Sequence, residues 1–124
     1  MLLLGCGSGS EPGRRDAART EIWQRDFKIK APGTLPEGPV DLEVYNQGPD
    51  DHELIVVRGS GRLPSRSDGL TIDEDALDSE TVGALEPGLG ERDLALDLRP
   101  GRYEMFCNMQ GHYMAGMHRS FRVG

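Results

Sequence analysis

Cys107, His112 and Met117 follow one another in the pattern C-x4-H-x4-M near the end of a 124-residue chain. A thiolate, an imidazole and a thioether this close together make a soft donor set, suited to copper rather than to magnesium or calcium. Gly111 and Gly116 punctuate the segment, so the chain can turn back and bring the three donors to one point. A trigonal copper site takes two histidines and one cysteine, with a weak axial methionine. The second imidazole must therefore come from elsewhere, and His52, just before the apolar run Leu54-Ile55-Val56-Val57, is the candidate. His118, the third histidine, follows Met117 directly. On a strand its side chain points away from that of Met117, and it reads as a surface residue.

Other chemistries fit less well. A cysteine nucleophile would need a histidine base, and no caspase-like or papain-like signature surrounds Cys107. His52-Glu53 suggests a zinc protease helix, but that motif requires a second histidine four residues on, where Val56 stands.

The elements that must carry these donors read as strands. Tyr103, Met105 and Cys107 alternate with Arg102, Glu104 and Phe106, a half-buried strand ending at the cysteine. Val40, Leu42 and Val44 alternate with acidic or aromatic residues, as Leu94, Leu96 and Leu98 do with Asp93, Ala95 and Asp97. Ile22, Phe27 and Ile29 mark a first strand within Glu21 to Lys30, while Phe121 and Val123 mark a closing one; the place of Trp23 stays open. Six or seven short strands separated by Gly and Pro turns imply an all-β fold, a Greek-key β-sandwich.

Between Gly59 and Gly90 the alternation fades, and residues 68–97 hold ten acidic side chains against one basic, Arg92. Thr71 to Leu77 reads as a short helix, with Thr71 as N-cap and Glu74 completing a capping box. The rest reads either as a solvated acidic loop over one edge of the sandwich or as an acidic docking face for a basic redox partner. The formal charge of −7 argues against a nucleic-acid partner, and the length fits one domain. The only cysteines are Cys6 and Cys107, so metal binding at Cys107 leaves no internal disulfide.

From about Phe27 to Val123 the sequence resembles the cupredoxins, the family of small blue-copper proteins. His52 early, Cys107, His112 and Met117 late, and Pro100-Gly101-Arg102-Tyr103 leading into the cysteine strand carry the resemblance. It implies one copper ion cycling between Cu(I) and Cu(II), with His52, Cys107 and His112 as strong ligands and Met117 as axial ligand, Met114 being the rival. It also implies a monomer that carries single electrons between transient redox protein partners and is not an enzyme. Copper storage, delivery or resistance is the alternative. A copper oxidase would need further copper centres, and three histidines cannot supply them. The resemblance also implies that a polar residue or backbone N–H groups donate hydrogen bonds to the sulfur; Asn108, beside the cysteine, reads either as such a residue or as a surface loop residue, and Asn46 either ties the two ligand loops together or does not.

Leu3-Leu4-Gly5-Cys6 resembles a bacterial lipobox, although the basic and most of the apolar part of an export signal are missing. Residues 1–20 accordingly read as a signal remnant and flexible tether, and residues 21–124 as the cupredoxin domain. This implies an exported protein at the outer face of the cytoplasmic membrane, held there only through a lipid anchor on Cys6.

Overall fold

The computed structural model describes residues 17–59 and 61–124. The lipobox and Cys6 lie outside them. Nine strands run through the described residues: β1 (Ala18–Arg25), β2 (Lys28–Lys30), β3 (Thr34–Leu35), β4 (Gly38–Asn46), β5 (His52–Arg58), β6 (Thr81–Gly88), β7 (Gly90–Leu98), β8 (Gly101–Phe106) and β9 (His118–Val123). They form a β-sandwich of two sheets, one in the order β2-β1-β4-β7 and the other β3-β9-β8-β5-β6. Both sheets are mixed, since β1 runs parallel to β4 and β3 to β9. β1 begins at Ala18, so its first three residues fall within the stretch read as tether.

The alternating strands place their apolar residues between the sheets. Val40, Leu42 and Val44 of β4 meet Leu94, Leu96 and Leu98 of β7, along with Ile22, Leu54, Val56, Tyr103, Met105 and Phe121. Tyr103 fixes the turn into β8, its hydroxyl donating to Arg99 O at 2.6 Å and accepting Arg58 Nη1 at 2.7 Å. Trp23 faces outward and stacks on Tyr45, with centroids 4.5 Å apart.

β8 departs from the half-buried expectation, and β5 beside it is buried on both faces as well. Leu54 and Val56 enter the main core, whereas Ile55 and Val57 join Phe106 of β8 in a second cluster with Leu63, Ile72 and Leu77. An apolar run without alternation is what a strand covered on both faces requires. The cover comes from residues 61–80. They form not a bare acidic loop but a flap pinned by three apolar side chains, Leu63, Ile72 and Leu77, on the outer face of the five-stranded sheet.

Two further expectations change there. The helix is a 3-10 turn over Glu74–Glu80 with Asp73 as N-cap and no side-chain cap. Thr71 and Glu74 form no capping box, because the Thr71 hydroxyl bonds Asp68 and the Glu74 carboxylate accepts Asn108 Nδ2 at 2.7 Å. Residues 81–88 are an edge strand, where Pro87 costs the ladder little. At Gly83 of that strand a Cβ would press on Leu96 Cδ2, so a larger residue there requires that leucine side chain to move.

Candidate metal centre

His52 is the first residue of β5, and the preceding loop is tied down from several sides. Asn46 Nδ2 donates to Asp50 O at 3.0 Å and Gly88 O at 2.7 Å, while its Oδ1 accepts Gly48 N–H at 2.9 Å. Asn46 thus closes the His52 loop onto β6 and, of the two readings, does not tie the ligand loops together. Arg92 Nη2 donates to His52 O at 3.0 Å.

Cys107 follows β8 directly. Its N–H donates to Met117 O at 3.1 Å, which brings both ends of the ligand loop together. Within the loop, His112 N–H donates to Met109 O at 2.9 Å, and Met117 N–H to His112 O at 3.1 Å. Gly111 and Gly116 take the positive φ angles of 80° and 109° that these turns need.

Three donor atoms converge as a result. His52 Nδ1 and His112 Nδ1 are 3.1 Å apart, and Cys107 Sγ lies 3.8 Å from the first and 3.5 Å from the second. The point equidistant from all three is about 2.0 Å from each, an ordinary metal–imidazole length and about 0.3 Å short of a metal–thiolate one.

Protonation explains why this arrangement calls for a cation. His52 Nε2 lies 2.7 Å from Asp26 Oδ1, and His112 Nε2 lies 3.5 Å from Asp50 Oδ2. Asp26 draws the His52 ring proton to Nε2 and leaves the His52 Nδ1 lone pair facing inward, while Asp50 makes only a longer ionic contact with His112. With the His112 proton on Nε2 as well, two lone pairs would face the sulfur, an arrangement that a cation stabilises.

Burial also holds the His112 pKa below its usual value, as does any charge on His52, with Asp50 and Asp26 opposing. The imidazole is thus neutral and free to ligate at neutral pH. Burial raises the Cys107 thiol, although the backbone N–H groups of Met109 and Glu53 hydrogen-bond its sulfur and pull the other way. Of the two expected kinds of donor, the backbone amides rather than the Asn108 side chain take this role. The Asn108 side chain turns instead to the flap, accepting Ile72 N–H at 2.7 Å and donating to Ile72 O at 3.0 Å.

Met117 is fully buried in the core that contains Cys107, whereas Met114 is 44% exposed. His118 is exposed as expected, stacked on Tyr113 and 2.9 Å from Glu104 Oε2. Sequence reasoning missed Asp26, Asp50 and Phe27. The Phe27 ring lies edge-on to His112 with centroids 4.9 Å apart, and 6.5 Å from His52. Asp50 had a signal in its nearness to His52; Asp26 and Phe27 had none.

The sandwich thus carries a buried His–Cys–His set of converging donor atoms. Neither protein-family models nor curated proteins give a match. Solved structures do. Dithionite-reduced auracyanin from Roseiflexus castenholzii aligns with a TM-score of 0.65 at 19% identity, over 87% of this chain and 98% of that one. Auracyanin A, a "blue" copper protein from Chloroflexus aurantiacus, gives 0.59 at 16% identity, over 87% and 99%. Rusticyanin from Thiobacillus ferrooxidans gives 0.62 at 15% identity, over 88% and 79%. The fold of this chain is that of the blue-copper cupredoxins.

Proposed function

We propose that this protein binds one copper ion and carries single electrons between redox partners. The observation that carries the reading is the triangle of His52 Nδ1, His112 Nδ1 and Cys107 Sγ, sized for a small cation and closed to water. The ion supplies the Cu(I)/Cu(II) couple; the chain holds the donors still. Met117, buried in the core that contains Cys107, would be the fourth, weaker donor in preference to exposed Met114. Because the donors sit on strands and on a hydrogen-bonded loop, little rearrangement accompanies a change of charge. No substrate turnover is assigned.

His112 is the ligand nearest solvent, at 9% exposure, and it marks the exit for the electron. Around it stand Phe27 and Met114, both exposed, with the backbone of Leu70 bonded to Gly111 N–H at 2.8 Å. Such a small apolar patch suits a transient, weakly bound partner. Burial of His52 and Cys107 argues against delivery, which needs ligands an acceptor can reach. We further assign the protein, as a monomer, to the outer face of the cytoplasmic membrane, anchored through Cys6; the lipobox resemblance supports this.

Stepwise reduction and reoxidation of the copper-loaded protein tests the function. A one-electron couple that cycles without loss of copper to a Cu(I) chelator supports electron transfer. Rapid loss of copper to the chelator in the reduced state would instead favour delivery.

A further inference from the structure

We propose that Asp26, on the turn between β1 and β2, is a positioning residue of the metal centre. It fixes His52 as an Nδ1 donor and biases the bound ion toward its more highly charged state. The inference rests on the copper reading above and extends it to a residue outside the ligand loops.

The turn is built against the His52 loop. Asp26 N–H donates to Gly48 O at 3.2 Å, and Gln47 N–H donates to Gln24 O at 2.9 Å. Asp26 Oδ1 is shared between His52 Nε2 at 2.7 Å and the Asp50 N–H at 3.1 Å. The His52 ring is fully buried, so water offers its Nε2 no alternative acceptor. A carboxylate there places the ring proton on Nε2 and leaves the lone pair on Nδ1, the atom that faces Cys107 and His112.

Charge adds a second effect. A carboxylate one imidazole ring away from the ion stabilises Cu(II) more than Cu(I). Phe27 covers both imidazoles from the same turn and keeps water from screening this interaction. Asp50 is a natural comparison: it faces the other imidazole at 3.5 Å with its side chain 51% exposed, so its influence is weaker.

The test joins two readouts on the full chain. In the apo-protein, long-range proton–nitrogen NMR of wild type shows His52 protonated at Nε2; protonation at Nδ1 would overturn the proposal with no variant needed. Asp26→Asn keeps an acceptor oxygen, so the tautomer stays, while Asp26→Ala mixes the tautomers. In the copper-loaded protein, Asp26→Asn raises the preference for Cu(I) over Cu(II) about tenfold, a rise of about 59 mV in reduction potential. Asp50→Asn gives a smaller rise. An unmoved potential in Asp26→Asn, or an equal shift in Asp50→Asn, contradicts the assignment. If no copper binds at all, the functional reading fails, yet the apo tautomer still decides whether Asp26 positions His52.

Discussion

The two sides of the metal pocket are held by different means. On one side His52 and Cys107 sit at the ends of β5 and β8, adjacent antiparallel strands in the five-stranded sheet. Their separation is set by strand pairing and by the core beneath, and Asp26 reaches the same side from β1 across the sandwich. On the other side His112 is carried by a loop of tight turns whose hydrogen bonds are mostly local, with Gly111 N–H reaching Leu70 O, Tyr113 and the Asn108 side chain reaching the flap, and Asn108 N–H donating to Glu53 Oε1 of β5 at 3.0 Å. The first side is rigid because long-range packing makes it so. The second is held by its turns, by the flap and by a single bond to Glu53 of β5, and it is also the side that meets solvent.

Removing each imidazole in turn is the harshest way to break this comparison. His52→Gly and His112→Gly should each lower copper affinity more than about a hundredfold, since losing even a partner of a ligand costs up to that much. Free imidazole should restore His112→Gly, whose site opens to solvent, and not His52→Gly, whose site is sealed. Equal rescue, followed by spectroscopic titration, would erase the distinction.

Leu54→Ala acts on the packed side. Leu54 is fully buried two residues beyond His52, and its truncation should cost about 2–5 kcal/mol in chemical denaturation. Asn108→Ala acts on the other side. It leaves Ile72 N–H and the Glu74 carboxylate without their partner, and should cost about 1–3 kcal/mol. Hydrogen exchange at the Ile72 amide should quicken while β5 amides keep their protection.

Acid should have the mildest effect, confined to the flap. The Leu70 N–H, then that of Thr71, holds the Asp68 carboxyl below its ordinary value. A depressed pKa in the folded state contributes stability above the unfolded value, lost as pH falls through the folded one. Exchange at Leu70 and Thr71 should therefore rise below the usual carboxylate range, with the strand pairs unaffected.

How much of this was legible in the sequence follows the same division. The loop side could be read directly, because Cys107, His112 and Met117 are near neighbours and the turns need only Gly111 and Gly116. The alternating strands were legible too, one face of each being buried in a single core. His52 was tied to the others by family resemblance, since nothing local links residues so far apart. Asp26 and Phe27 gave no sign, because a turn between two strands acquires its role from what it meets across the sandwich. The flap was obscure for a related reason. Leu63, Ile72 and Leu77 have no regular period, and Gly83 and Pro87 blur the β6 pattern.

The most direct measurement is the visible absorption spectrum of the protein loaded with Cu(II), beside Cys107→Ser loaded in the same way. The account predicts an intense band in the wild type that bleaches on one-electron reduction and is absent from the variant. A colourless wild type, or a band that survives loss of the Cys107 sulfur, would contradict a copper–thiolate electron carrier.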